Sequence, residues 1–144
     1  MKKNPFDVLV RLRSIDEKQA RAALANTRQA HERARKKLED LRAKHSEDVD
    51  VGEILGPVNL RSLQLRGMGS FEMVAAAAQS FQLSERALHA KSDAWRRTAA
   101  DLDAAERLDE KRKQELAREA AKSAERSLDD LMGMLHVRTG DGLV

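Results

Sequence analysis

The chain has 144 residues and a formal net charge of +3, from 27 Lys/Arg and 24 Asp/Glu. Ala, Glu, Lys, Leu and Arg supply 79 of the 144 residues, a bias typical of long helices or a coiled coil. With eight Val, two Ile, three Phe, one Trp and no Tyr, the chain lacks the residues that a β-sandwich or an α/β sheet requires. The absence of Cys excludes disulfides and cysteine-based zinc sites.

The first helix is predicted over about residues 5–47. Asn4 and Pro5 suit an N-cap and a first helical position, and residues 6–47 contain neither Pro nor Gly. An apolar stripe recurs every three or four residues, interrupted by Asp16, as expected for one helix face. Its members are Leu9, Leu12, Ala20, Ala23, Thr27, Ala30, Ala34, Leu38 and Leu41.

A connector is predicted over residues 48–70, because Gly52, Gly56, Pro57, Gly67 and Gly69 punctuate this segment. A short helix is expected within it, near 58–66.

The second helix is predicted over about residues 71–132, again free of Pro and Gly, with a loose tail over 133–144 that begins at Gly133. Apolar residues repeat at heptad spacing from Phe71 to Leu102, with the polar interruptions Glu85 and Ser92. A phase shift near 103–106 then predicts a discontinuity in the supercoil.

The sequence therefore predicts an all-α protein. Two long helices form an antiparallel coiled-coil hairpin, a single domain over residues 1–144. The longer second helix must either overhang the first or have its start covered by the connector. The apolar start of the chain is interrupted by Asp7, Arg11 and Arg13, which does not fit a secretory signal, and no 18-residue apolar span exists. We therefore expect a soluble, cytoplasmic protein.

No pattern of catalytic or ligand-binding residues emerges. The four histidines show no metal-binding spacing, and we expect them to be solvated. The carboxylates lie in charged helical faces without a pocket, and the glycines form no nucleotide-binding motif. We therefore expect a protein that is not an enzyme and has no cofactor, metal or small-molecule substrate.

A basic stretch on the first helix has three interpretations: a solvated face, a surface for an acidic protein, or a nucleic-acid site. It lacks the interleaved aromatic residues that base stacking requires, which makes nucleic acid the least favoured. Its members are Arg28, Arg33, Arg35, Lys36, Lys37, Arg42 and Lys44.

Two stretches resemble the FliJ family of flagellar export proteins. They are the opening FDVLVRLRSIDEKQARAALANTRQA and the later AERLDEKRKQELAREAAKSAERSLDDL, in which Glu106, Leu108, Glu110, Arg112, Asp129 and Asp130 match the family's charged signature. The resemblance implies a coupling stalk and general chaperone of type III protein export, a process of bacterial flagellum biogenesis. Injectisome stalks share this plan. Its partners would be the export ATPase, the cytoplasmic domain of the membrane export gate, and export chaperones, with peripheral attachment to the membrane through the export apparatus.

The resemblance also implies two contact surfaces. The gate contact would use an aromatic and small residues early in the second helix together with a leucine of the first: Phe71, Ala75, Ala78, Gln82 and Leu41. The ATPase-ring contact would use arginines near the paired termini: Arg11, Arg13, Arg112, Arg118 and Arg126. The alternative function is a coiled-coil nucleic-acid or nucleoid-associated protein that uses the basic stretch of the first helix.

Overall fold

The computed structural model describes residues 4–52 and 60–140, and nearly all of them are helical. Helix α1 spans Pro5–Gly52, 48 residues, and helix α2 spans Leu60–Gly140, 81 residues. The two helices pack against each other. The prediction of an all-α protein built on two long helices is confirmed.

The start of α1 is capped by Asn4, as its position before Pro5 predicts. The backbone N–H of Phe6 donates to Asn4 Oδ1 at 3.1 Å, and that of Asp7 donates to the Asn4 carbonyl at 3.3 Å. The cap satisfies two of the N–H groups that a helix start leaves without partners. The Asn4 side-chain amide also donates to Asp109 Oδ1 of α2, so the cap fixes the first turn against the second helix.

The predicted connector and tail were both too long. Helix α1 continues past residue 47 to Gly52, and α2 begins at Leu60 rather than residue 71 and runs through Gly133 to Gly140. The expected short helix near 58–66 is, from Leu60 onward, the beginning of α2, and residues 53–59 lie outside the described part of the chain. An isolated glycine costs a helix only about 1 kcal/mol relative to alanine, which does not end a helix of this length.

The chain divides into two compact units, one formed by residues 1–15 with 100–144 and the other by residues 16–99. In the second unit the buried side chains are Glu17, Leu24, Leu38 and Ala77. In successive contacts between the helices the residue numbers rise along α1 and fall along α2: Glu17–Trp95, His31–Ser84 and His45–Ser70. The helices are therefore antiparallel in this unit.

The seam of α1 shares Ala20, Thr27, Ala34, Leu38 and Leu41 with the predicted stripe and differs from it at the other positions. From Val10 to His45 every residue on a strict alternation of three and four positions is buried or half-buried. Leu12 and Ala30 lie off this seam and are exposed, whereas Leu24 is only 3% exposed. The seam positions are Val10, Arg13, Glu17, Ala20, Leu24, Thr27, His31, Ala34, Leu38, Leu41 and His45.

In the first unit, Ala105 and Asp109 are the buried residues of α2. The heptad spacing continues through Leu102, Ala105, Asp109, Arg112 and Leu116, so the predicted discontinuity near 103–106 is wrong. Leu108, which the phase shift had placed on the seam, is 46% exposed. From residue 117 to residue 140 every residue is exposed, which agrees with an overhang of α2.

Candidate interaction surfaces

A buried carboxylate joins the helices in the unit of residues 16–99. Glu17 is 6% exposed, and its Oε1 accepts from Trp95 Nε1–H at 3.0 Å and from Arg21 at 3.0 and 2.7 Å. These donors stabilise the ionised form. The Trp95 hydrogen bond is the largest cause that holds the pKa of Glu17 below its usual value, and Arg21 adds to it against the opposing effect of desolvation.

Two histidines also belong to this seam, contrary to the expectation that all four are solvated. His31 Nδ1 lies 3.1 Å from Ser84 Oγ, and His45 Nδ1 is hydrogen-bonded to Ser70 Oγ. The hydroxyls of Ser84 and Ser70 donate to backbone carbonyls of their own helix. Each cross-helix bond therefore joins a histidine Nδ1 to a hydroxyl that also bonds to its own helix backbone. His89 and His136 are exposed, as expected.

Asp109 is the corresponding polar residue of the other unit. It is 8% exposed, accepts from the Asn4 amide, and forms an ion pair with Lys113 Nζ at 2.6 Å. The hydrogen bond and charge of Asp109 raise the pKa of Lys113. Polar groups at seam positions favour one register over its neighbours, because a shift would bury them without partners.

The five arginines expected at the ATPase ring fall into two groups. Arg11 pairs with Asp7 at 3.2 Å, Arg13 with Asp101 at 3.8 Å, and the half-buried Arg112 with Glu115 at 3.4 Å. Arg118 and Arg126 are exposed and have no ion pair within 4 Å in the described chain. Only the second pair is therefore available to a partner without breaking an intramolecular contact.

The residues expected at the export gate lie on the described part of both helices. Phe71 is 65% exposed, and its ring centroid lies 6.5 Å from that of His45. Ala75 and Gln82 are exposed, whereas Ala78 and Leu41 are half-buried. Phe71 lines a cavity of about 460 Å³ with His45, Gly67 and Met68, whereas Leu41 lines a separate groove among basic side chains.

The residues of the basic stretch of α1 differ in the helix face that they occupy and in whether they form ion pairs. Arg33, Lys36, Lys37 and Lys44, here called the basic face, line one groove of about 410 Å³ with Asp40 and Leu41. Arg35 instead forms ion pairs with Glu32 and with Glu39, the latter at 2.6 Å. Arg28 lines a cavity with residues of α2, including His89 and Arg96.

An apolar stripe, formed by Leu128, Leu131, Met132 and Leu135, occupies the exposed end of α2. These side chains are between 58% and 68% exposed and recur at i, i+3, i+4 and i+7, one face of a helix. The seam spacing continued beyond Leu116 would instead reach Glu119, Ser123, Arg126 and Asp130. The stripe therefore lies on nearly the opposite face from the one that packs on α1, roughly 160° around the helix.

Sequence reasoning missed Glu17, His31, His45 and Asp109 as structural residues, because it searched for apolar positions. Their heptad spacing was the signal that could have found them. In the described ranges no group of three or more His, Cys, Asp or Glu could hold a metal ion. Neither described helix has a stretch long and apolar enough to cross a membrane.

Comparison with known proteins yields no relative. No model of a protein family matches the chain, and neither the curated proteins nor the solved structures contain a significant match.

Proposed function

We propose that this chain is a non-enzymatic coupling stalk and general chaperone of flagellar type III protein export. In this proposal α1 and α2 form an antiparallel coiled-coil hairpin. The hairpin links the export ATPase ring to the cytoplasmic domain of the export gate and to export chaperones. The protein would be cytoplasmic and attached peripherally to the membrane through those partners. The sequence resemblance to FliJ proteins motivates the proposal.

One observation supports it above the others: every residue from 117 to 140 of α2 is exposed in the described chain. A helix in water gains most of its stability from the packing of an apolar face, and exposed apolar patches mark interaction sites. The apolar stripe and the two unpaired arginines, Arg118 and Arg126, lie on this segment. If this segment entered a protein ring, the ring would bury the apolar stripe and form ion pairs with the two arginines.

The direct test is a binding assay between the full-length chain and the cognate flagellar export ATPase. We expect saturable binding, and we expect Arg118→Glu with Arg126→Glu to weaken it about tenfold, since charge reversals on an interface rim add repulsion to lost attraction. Because both arginines are exposed and unpaired, the thermal unfolding of the variant should match the wild type.

The matched control is Arg86→Glu with Arg97→Glu, which reverses two exposed arginines of α2 that also have no ion pair within 4 Å in the described chain. The control should bind like the wild type. Equal binding by both variants would reject the end of α2 as the ring-facing surface. The absence of binding by the wild type would reject the stalk itself.

A further inference from the structure

The cations of the basic face of α1 form no ion pair within the described chain. Other arginines of the same helix have acidic neighbours: Arg11 with Asp7, Arg21 with Glu17, and Arg35 with Glu32 and Glu39. By contrast, the cations of the basic face are exposed and form no ion pair with an N–O distance within 4 Å in the described ranges. They are Arg33, Lys36, Lys37 and Lys44. The helix therefore concentrates four cations on one face, with Asp40 as the acidic residue among them.

The same four side chains border a shallow, open groove on the surface of α1. They line about 410 Å³ together with Asp40 and the half-buried Leu41. An adjoining groove of about 280 Å³ continues towards Gln29 and Glu32. At 1.5 Å per residue, the stretch from Gln29 to Lys44 is roughly 22 Å long, which is the length of four helical turns.

We propose that this groove is a docking surface for an acidic amphipathic helix of a protein partner. The spacing of Arg33, Lys37 and Lys44 places three cations on one line along α1. A partner helix with carboxylates at matching intervals would meet each of them. Leu41 supplies apolar surface beside that line, and the methylene stems of the lysines add to it, so one apolar side chain per turn of the partner would also be covered.

Two features favour a protein over a nucleic acid. Asp40 stands among the cations, where it would repel a uniformly charged phosphate backbone but could meet a basic residue of a helix. The groove also contains no aromatic side chain, and stacking on aromatic residues is what holds single-stranded bases. Opposite charge across such a surface mainly speeds association and selects the partner.

The test uses a defined probe and therefore does not depend on the stalk proposal. The probe is a fluorescein-labelled peptide of three heptads, with two Glu and one Leu on one face of each heptad and Ala elsewhere. Its binding to the full chain is followed by fluorescence anisotropy at 150 mM salt. We expect saturable binding with one peptide per chain.

The paired variants locate the site. Lys36→Glu with Lys37→Glu should weaken peptide binding by about tenfold or more, because two attractions become repulsions. The control Lys111→Glu with Lys122→Glu reverses two exposed lysines elsewhere on α2 and should change binding less than twofold. A peptide with Ser in place of each Leu should bind about fivefold more weakly if Leu41 takes part.

Four outcomes would overturn the proposal: no binding of the peptide, equal losses in both variants, tighter binding of a 20-base-pair DNA duplex than of the peptide, or tighter binding of phosphatidylserine vesicles. A DNA outcome would assign the face to nucleic acid, and its affinity would then fall steeply and linearly with the logarithm of salt concentration. A vesicle outcome would assign it to anionic membranes. Loss of peptide binding with retained ATPase binding would leave the proposed function standing.

Discussion

At the residue scale, the polar side chains of the seam specify how the two helices meet. Glu17 faces Trp95, His31 faces Ser84, and His45 faces Ser70. Seams of leucine and alanine alone tolerate shifts by whole heptads, because one apolar layer resembles the next. Each of these pairs joins a donor to an acceptor, so a shift would leave both without partners. Apolar contacts then supply stability, and polar contacts supply register.

Substitution of the single tryptophan tests the seam directly. Trp95 is half-buried, so Trp95→Ala should lower the free energy of unfolding by about 2–3 kcal/mol, less than the cost at a fully buried site. Trp95→Phe retains most of the ring and should cost less. Urea unfolding followed by circular dichroism gives both values. An unchanged midpoint for Trp95→Ala would mean that the residue does not contribute to the contact between helices.

The depressed pKa of Glu17 predicts a pH dependence of stability. A carboxyl whose folded pKa is lowered binds protons more readily in the unfolded chain. The stability it supplies is present above the unfolded pKa and is lost as pH falls through the folded pKa. The free energy of unfolding should therefore decrease on acidification below the usual glutamate range, and Glu17→Gln should flatten this decrease. Parallel urea titrations from pH 7 to pH 3 measure the difference, and identical profiles for the two proteins would contradict it.

At the element scale, the existence of the helices was predictable and their ends were not. Long segments without Pro or Gly predict helices whatever their surroundings, and Asn4–Pro5 is a local signal that needs no partner. By contrast, the sequence predicted that the helix is interrupted at Gly67, Gly69 and Gly133. None of these glycines has a positive φ, and all lie inside α2. The seam was predicted from apolar residues. Glu17 is buried and His31 is half-buried because each contacts a residue more than 50 positions away, which a single helical pattern does not reveal.

The glycines inside α2 allow a prediction about the stability of that helix. A Cβ built on Gly69 meets no atom within 4 Å, so Gly69→Ala gains helix propensity without a clash. We expect an increase of about 0.5–1 kcal/mol in the free energy of unfolding, measured by urea denaturation. Gly133→Ala is the matched control, because Gly133 has equal space but lies in the exposed segment. That variant should raise helix content without moving the main transition. Destabilisation by Gly69→Ala would show that this backbone needs glycine.

At the scale of the whole molecule, burial is distributed unevenly along α2. The described side chains with less than a tenth of their surface exposed all lie between Glu17 and Leu38 on α1 and between Ala77 and Asp109 on α2. Residues 117–140 have none, although they contain the apolar stripe. The buried side chains and the exposed apolar stripe therefore lie on different parts of the chain. This separation allows each to be changed without the other.

That separation gives the last prediction. Deletion of residues 118–144 removes no buried side chain from the described range, which ends at residue 140, so the melting temperature monitored by Trp95 fluorescence should change by less than about 2 °C. The mean helicity of the remaining residues should be unchanged. Leu24→Ala provides the sensitivity control: Leu24 is 3% exposed, and its truncation should cost about 2–5 kcal/mol, a shift that the same assay resolves. A fall of more than about 5 °C on deletion, measured at several protein concentrations, would contradict the prediction. Dependence of that fall on concentration would mean that the apolar stripe packs on a second copy, whereas independence would mean that it packs within its own chain.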